Sequence, residues 1–347
     1  MSENKRKGRA VKNDRTSDRL RYSLDYLFEY YYQAKKSEGR AANTLKTYAE
    51  NYKYFCEYLD LRGIARDIRN INVELGREYV IWLRDEKVKF SDNCNVPEYV
   101  RTIGLEPKSI NTRIKNLKTM FKFLHEEGVI DSNPFAYLKN VQDIGRDIKV
   151  LAAEELKRLL DAPNQRKYSG FRDFVVLNLL IDGMLRVDEA LTLRREDVDL
   201  SSCCVFLRRD VTKSRKSRIV PITKRTAKLL QELMRETDEF DNEYIFLSNY
   251  GEKLTPNHFR HQIKKYADKA GIDKRTYPHL LRHSGATLYL EEGGSQRHLQ
   301  AILGHADGRM TAHYTHLSDK NVKKNHEEFS PMNAVVGKLE RSRKIKR

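Results

Sequence analysis

The stretch from Phe171 to Leu185 constrains the fold most. It is nearly continuous in apolar side chains, with Phe174-Val175-Val176-Leu177 and Leu179-Leu180-Ile181 at its centre. A helix that is apolar all round has to be enclosed by protein, so the second half of the chain must build a core around it. The stretch is too short to span a bilayer. Arg186 follows it directly. A guanidinium at the end of such a helix is awkward without an anion to meet. Glu189, three residues on, is one candidate, and an anionic ligand is the other.

The neighbouring segments read as the elements that wrap this helix. Ala152 to Leu160 is helical, with Glu154 and Glu155 in its first turn where the dipole favours them. Val205-Phe206-Leu207 and Arg218-Ile219-Val220-Pro221-Ile222 alternate like strands around a basic turn, Thr212 to Ser217. Thr226 to Glu236 is a helix, and Tyr244 to Leu247 a short strand. Thr255 caps another helix with Pro256 at its first position. That helix carries Arg260, Lys264 and Lys265.

Residues 21 to about 140 follow a helical period instead. Leu24, Leu27, Phe28 and Tyr31 recur at i, i+3, i+4, i+7. Asn43 and Thr44 offer a cap to a second helix with a stripe of Leu45, Tyr48, Tyr52, Phe55 and Leu59. A third helix runs near Leu75, Tyr79, Trp82 and Leu83. A fourth starts after Pro107, with Ile110, Ile114, Leu117, Phe121 and Leu124 on one face. Arg113, Lys115, Lys118 and Lys122 occupy its other faces; phosphate contact is the favoured reading and a solvated face the alternative. Residues 87–106 read as a long loop. Asp143 to Lys149 reads as a charged linker.

Charge narrows the partner. Lys and Arg number 66 against 49 Asp and Glu, a net charge of +17, which suits an anionic polymer. The four cysteines form no CxxC pair, consistent with a reduced, cytoplasmic setting. The first twenty residues are polar and basic, without an apolar leader, and no run reaches membrane-spanning length, so no membrane partner is expected.

The chemistry concentrates from His279 to His316. The chain reads His279-Leu280-Leu281-Arg282-His283, then Leu303-Gly304-His305, then Tyr314 nine residues after that histidine. A forked cation, imidazoles and a phenol suit a phosphodiester: arginine holds a phosphate by two parallel hydrogen bonds, and a hydroxyl can attack phosphorus. His279 and His283 stand at i, i+4, a spacing found in metal-binding helices. However, His-Glu-x-x-His is absent, neighbouring arginines repel a cation, and no carboxylate cluster accompanies them, so no metal is expected.

Together with Arg186-x-x-Glu189 and Lys213 in the basic turn, these motifs resemble the tyrosine recombinases, the lambda-integrase or phage integrase family. The resemblance covers roughly residues 22 to 318. One departure is local: the family usually reads Gly-Leu/Met-Arg, whereas here Gly183-Met184-Leu185-Arg186 sets the glycine one residue further back.

The resemblance implies a mainly α fold with a small antiparallel sheet. Its parts would be a basic arm (1–20), a helical, SAM-like core-binding domain that clamps DNA (21–140), a linker (141–150), a mixed α/β catalytic domain (151–320) and a basic tail (321–347) that docks on a neighbouring protomer. It implies roles as well. Arg186, Arg282 and His305 contact the scissile phosphate, Tyr314 attacks it to give a 3′-phosphotyrosine, Lys213 is the general acid with Lys216 its rival, and His279 exchanges a proton with Tyr314. ATP, metal and other cofactors are not required. Asn257 and His258, at the start of the helix after Thr255, are candidates to read bases in the major groove, and Arg260 on the same helix is a further DNA-binding candidate.

The expected activity is site-specific recombination of double-stranded DNA sites by a homo-tetramer in the nucleoid, with an accessory recombinase or directionality factor as a further partner. Integration or excision of a mobile element is preferred. Chromosome-dimer resolution, a DNA-relaxing topoisomerase and a non-catalytic DNA-binding relative are the alternatives.

Overall fold

A computed structural model describes residues 22–91, 96–143, 149–212 and 216–304. The chain divides into two compact units, Met1–Arg146 and Asp147–Arg347.

In the first unit four long helices, α1 (Leu24–Ser37), α2 (Ala42–Leu61), α3 (Val73–Asp85) and α4 (Pro107–Glu126), pack on α4 and on one another. Their stripes are the ones the sequence period marks: Leu24, Leu27, Phe55, Leu59, Leu83, Ile110, Ile114 and Phe121 are all fully buried. Aromatic rings fill the seams, with Phe28 stacked on Tyr52 at 4.1 Å and Phe121 on Phe135 at 4.9 Å. Ser23 and Asn72 cap α1 and α3 through their side chains. The cap expected from Asn43 and Thr44 is not made. The helix begins earlier, Ala41 takes the cap position without a side-chain bond, and both residues fall inside the first turn.

The described residues at the two ends of the 87–106 segment pair with each other. Val88 pairs with Ile103, Lys89 N–H donates to Thr102 O (2.9 Å) and Gly104 N–H to Lys87 O (2.9 Å). Gly104 is left-handed (φ +81°), and a Cβ there would sit 2.1 Å from Arg84 O, so only glycine fits.

In the second unit the apolar stretch is the central helix, α6 (Tyr168–Asp182). Preceding it is α5 (Ala153–Asp161), and after it come α7 (Val187–Leu191), strands β1 (Val198–Asp199), β2 (Cys204–Leu207) and β3 (Arg218–Pro221), then α8 (Lys224–Glu236), α9 (Pro256–Lys269), α10 (Pro278–Glu291) and α11 (Gln296–Leu303). The sheet is antiparallel in the order β1-β2-β3, with Val205 opposite Val220 and Leu207 opposite Arg218. Helices α8 and α10 enclose α6, and Val175, Val176, Leu177, Leu179 and Leu180 lie at zero exposure. The helix ends three residues sooner than its apolar character suggests: Gly183 caps it and the chain turns away through Met184 and Leu185. The strand expected at Tyr244–Leu247 is instead two isolated bridges, Tyr244 with Arg194 and Leu247 with Lys253, because no continuous partner strand lies alongside. Among the described residues no helix is long and apolar enough to cross a membrane.

Candidate active site

Arg186 stands at the N-cap of α7. The turn that delivers it is strained. Met184 adopts φ +50°, a left-handed conformation that costs a non-glycine residue about 1–2 kcal/mol. The displaced glycine therefore does not supply the left-handed residue; Met184 does. Its side chain is buried against Ala286, Leu290, Leu299 and Leu303, and that packing offsets the strain. The turn has a use, since Met184 O accepts a hydrogen bond from Arg282 Nη1 at 2.7 Å.

Arg282, on α10, is 4% exposed. Its Nη2 donates to Leu303 O (2.7 Å), and Nη1 lies 3.9 Å from Glu189 Oε2. Glu189 is the hub. Buried to 1% exposure on α7, its Oε1 accepts from Arg186 Nη1 (2.8 Å) and Arg218 Nη1 (3.1 Å). Its Oε2 accepts from Arg218 Nη2 (2.7 Å) and from the Arg186 backbone N–H (3.0 Å). Burial by itself would raise the Glu189 pKa, but the bonds and charges of Arg218 and Arg186 outweigh it and hold the carboxyl below the usual range. Three guanidinium groups on one buried carboxylate leave positive charge in excess, which suits a phosphate.

His279 lies in the first turn of α10 and reaches solvent. Partial burial, then Arg282, Arg186 and Arg260, lower its pKa against the opposing pull of Asp188. His283, one turn on, is lowered by burial, His279 and Arg282. Both imidazoles are thereby kept neutral and able to accept a proton at neutral pH.

The basic turn is closed by Thr212 Oγ1, which donates to Lys216 O at 2.9 Å. Lys216 is exposed. Lys213, His305 and Tyr314 lie outside the described residues, as do the arm before Tyr22 and the tail beyond Gly304. Described chain ends at Gly304, the left-handed C-cap of α11 (φ +65°) that leads into His305.

The candidate DNA contacts divide. Thr255 caps α9 through His258 N–H, and Asn257, His258 and Arg260 are exposed on its opening turns. On α4, Lys115 and Lys122 are exposed, the latter 3.5 Å from Glu126. Arg113 turns inward, donating to Asn51 Oδ1 (2.8 Å) with its guanidinium 3.6 Å from the Tyr54 ring centre. Lys118 donates to Leu138 O.

Two residues were undervalued in the sequence. The sequence pairs Glu189 with Arg186 alone, and marks Arg218 only as the first residue of a strand. The available signal was the strand alternation: Arg218 shares the inward face of β3 with buried Val220, a place for an apolar residue unless a carboxylate waits inside.

Residues 149–321 match the model of the phage integrase family, and residues 23–142 that of the phage integrase SAM-like domain. The chain is 27% identical over 313 residues to the tyrosine recombinase XerD of Listeria monocytogenes, spanning 88% of this chain and 99% of that protein. To the tyrosine recombinase XerC of Chlamydia trachomatis it is 31% identical over 230 residues, 65% of this chain and 72% of the relative. In fold it is similar to the Tn1549 transposon integrase in complex with a circular intermediate DNA (TM-score 0.68, 17% identity, 89% of this chain and 100% of that one). It is likewise similar to XerH recombinase bound to palindromic difH substrate (TM-score 0.65, 21% identity, 88% and 84%). One family model matches within each of the two units, and the arginine cluster stands inside the match over residues 149–321: this chain belongs to the phage integrase family and is a tyrosine recombinase.

Proposed function

We propose that the protein is a site-specific recombinase that cuts and rejoins duplex DNA through Tyr314. The observation that carries this reading is the cluster of Arg186, Arg218 and Arg282 on buried Glu189 with neutral His279 beside it. In the proposed reaction Arg186, Arg282 and His305 hold the non-bridging oxygens of the scissile phosphate, where charge builds in the transition state. The Tyr314 hydroxyl gives its proton to His279 and bonds to phosphorus. The bond from phosphorus to the 5′-oxygen breaks, and Lys213 protonates the departing oxygen. The product is a 3′-phosphotyrosine and a free 5′-hydroxyl, so the reverse attack reseals a strand without an external energy source. Lys216, on the same turn, is the alternative acid.

Integration or excision of a mobile element is the preferred role, from the basic arm and the elaborated 87–106 segment. Chromosome-dimer resolution is the second reading, favoured by the near full-length match to XerD. Four protomers on two sites are the proposed assembly.

Covalent trapping in cells tests this. Cells expressing the wild type or Tyr314→Phe are lysed under denaturing conditions, and protein-linked DNA is sequenced. Adducts from the wild type only, at a few sites, are expected. Sites at the ends of an element support the first role, and one chromosomal site supports the second. Dispersed adducts, or none, would refute the proposal.

A further inference from the structure

In the reaction proposed above, the general acid sits on the turn before β3, one phosphate-binding arginine opens α7, and a histidine follows α11. Arg218 begins the strand that follows the first of these, and its side chain touches the other two. Arg218 is the first residue of β3, on the strand that closes the Lys213 turn. Its two Nη groups sit on both oxygens of Glu189, the carboxylate that also holds Arg186. Its Nε donates to Ile302 O at 2.9 Å, and its stem runs against Gly304, where an added Cβ would lie 3.0 Å from Cδ and Nη1.

The end of α11 depends on these contacts. Helix C-termini leave carbonyls without intrahelical partners. Here Arg218 takes Ile302 O and Arg282 takes Leu303 O, two cations at the negative end of the helix dipole. The helix has only 8 residues and docks chiefly through a small apolar cluster, with Ile302 reaching the main core as well. So short an element has little packing of its own to fix where its last turn points.

We infer that Arg218 is a positioning residue of the reaction centre: it sets the place of the α11 terminus, and so of His305, against Arg186 and the Lys213 turn. This rests on the recombinase reading. Lysine could keep the charge but not the geometry, since a planar fork reaches Glu189 and Ile302 in three directions and an ammonium does not.

The test uses full-length protein and a nicked synthetic duplex carrying the site found by trapping. Wild-type adduct formation is the control for the functional reading: without it that reading fails, before any variant is compared. Arg218→Lys is expected to slow single-turnover adduct formation roughly 100-fold, the scale of an ångström's misplacement. Duplex affinity is expected to stay within about threefold and melting within a few degrees, because the buried charge is retained. Without DNA, hydrogen exchange in the peptide 296–304 should quicken about tenfold. Gly304→Ala, which pushes on the same stem, should reproduce the slow rate. The deciding measurement is the double variant. If Arg218 acts through His305, Arg218→Lys adds no more than about threefold to the defect of His305→Ala. Losses that multiply, or a wild-type rate in Arg218→Lys, would overturn the inference. Should Arg218→Lys melt far below wild type, Gly304→Ala with His305→Ala applies the same criterion.

Discussion

His279 is useful as a base only while it is uncharged, and its surroundings keep it so. Partial burial and the charges of Arg282 and Arg186 disfavour the imidazolium; at His283 burial comes first, then His279 and Arg282. The sign of the pH effect follows. Both folded pKa values lie below the unfolded value, so the unfolded chain binds protons more readily as pH falls through the imidazole range. The stability these sites contribute is present above about pH 6.5 and is lost below it. Thermal melts should therefore drop between about pH 7.5 and 5, and His279→Gln with His283→Gln should flatten that decline. A double variant with the wild-type slope would refute it. Adduct formation should lose rate only further into acid, below the ordinary imidazole pKa of about 6.5, because His279 must be protonated in the folded protein before it can no longer take the Tyr314 proton.

At the scale of elements, α9 offers two kinds of proposed DNA contact. Asn257 and His258 are exposed on its first turn, the place proposed for base contact, while Arg260 is exposed on the next turn, the place proposed for phosphate contact. Asn257→Ala should relax preference at one base position, a loss of about 1–3 kcal/mol on the preferred base only. Arg260→Ala should weaken binding to every duplex alike and reduce the salt slope by about one. Titrations on the trapped site and on single-base variants of it separate the two; identical losses from both substitutions would show that α9 reads only backbone. This helix was legible beforehand because Thr255-Pro256 is a local signal. So were the four stripes of the first unit, since a 3.6-residue period needs no tertiary information. The start of α2 was not, because Ala41 takes the cap without a side-chain bond. Nor was the bridge between Val88 and Ile103, which joins residues fifteen apart across a segment of mixed polarity. Within the site, Arg186 and Arg282 were legible as candidate residues. Their common attachment to Glu189 was not, since it joins α7, β3 and α10 through space.

For the whole molecule, a net charge of +17 makes binding to any duplex strongly dependent on salt. In the proposed tetramer, assembly on two sites draws on contacts between protomers, for which residues 319–347 are the proposed source. Deleting them should leave binding to a single site within about threefold, apart from a smaller salt slope. It should weaken the complex holding two sites, read by sedimentation, and uncouple cleavage on the two. Unchanged sedimentation and coordinated cleavage would sink this assignment. The pairing of β2 with β3 bears on how chains of this kind can diverge. Arg218 faces inward because Val205 meets Val220 and Leu207 meets Arg218. A slip of one residue would turn Ile219 toward Glu189 and strand a carboxylate in the core. Insertions and deletions in the ten residues between the strands are thus filtered by arithmetic: apart from its proposed acid, the turn is free to change length and composition, provided the ladder behind it comes back in step.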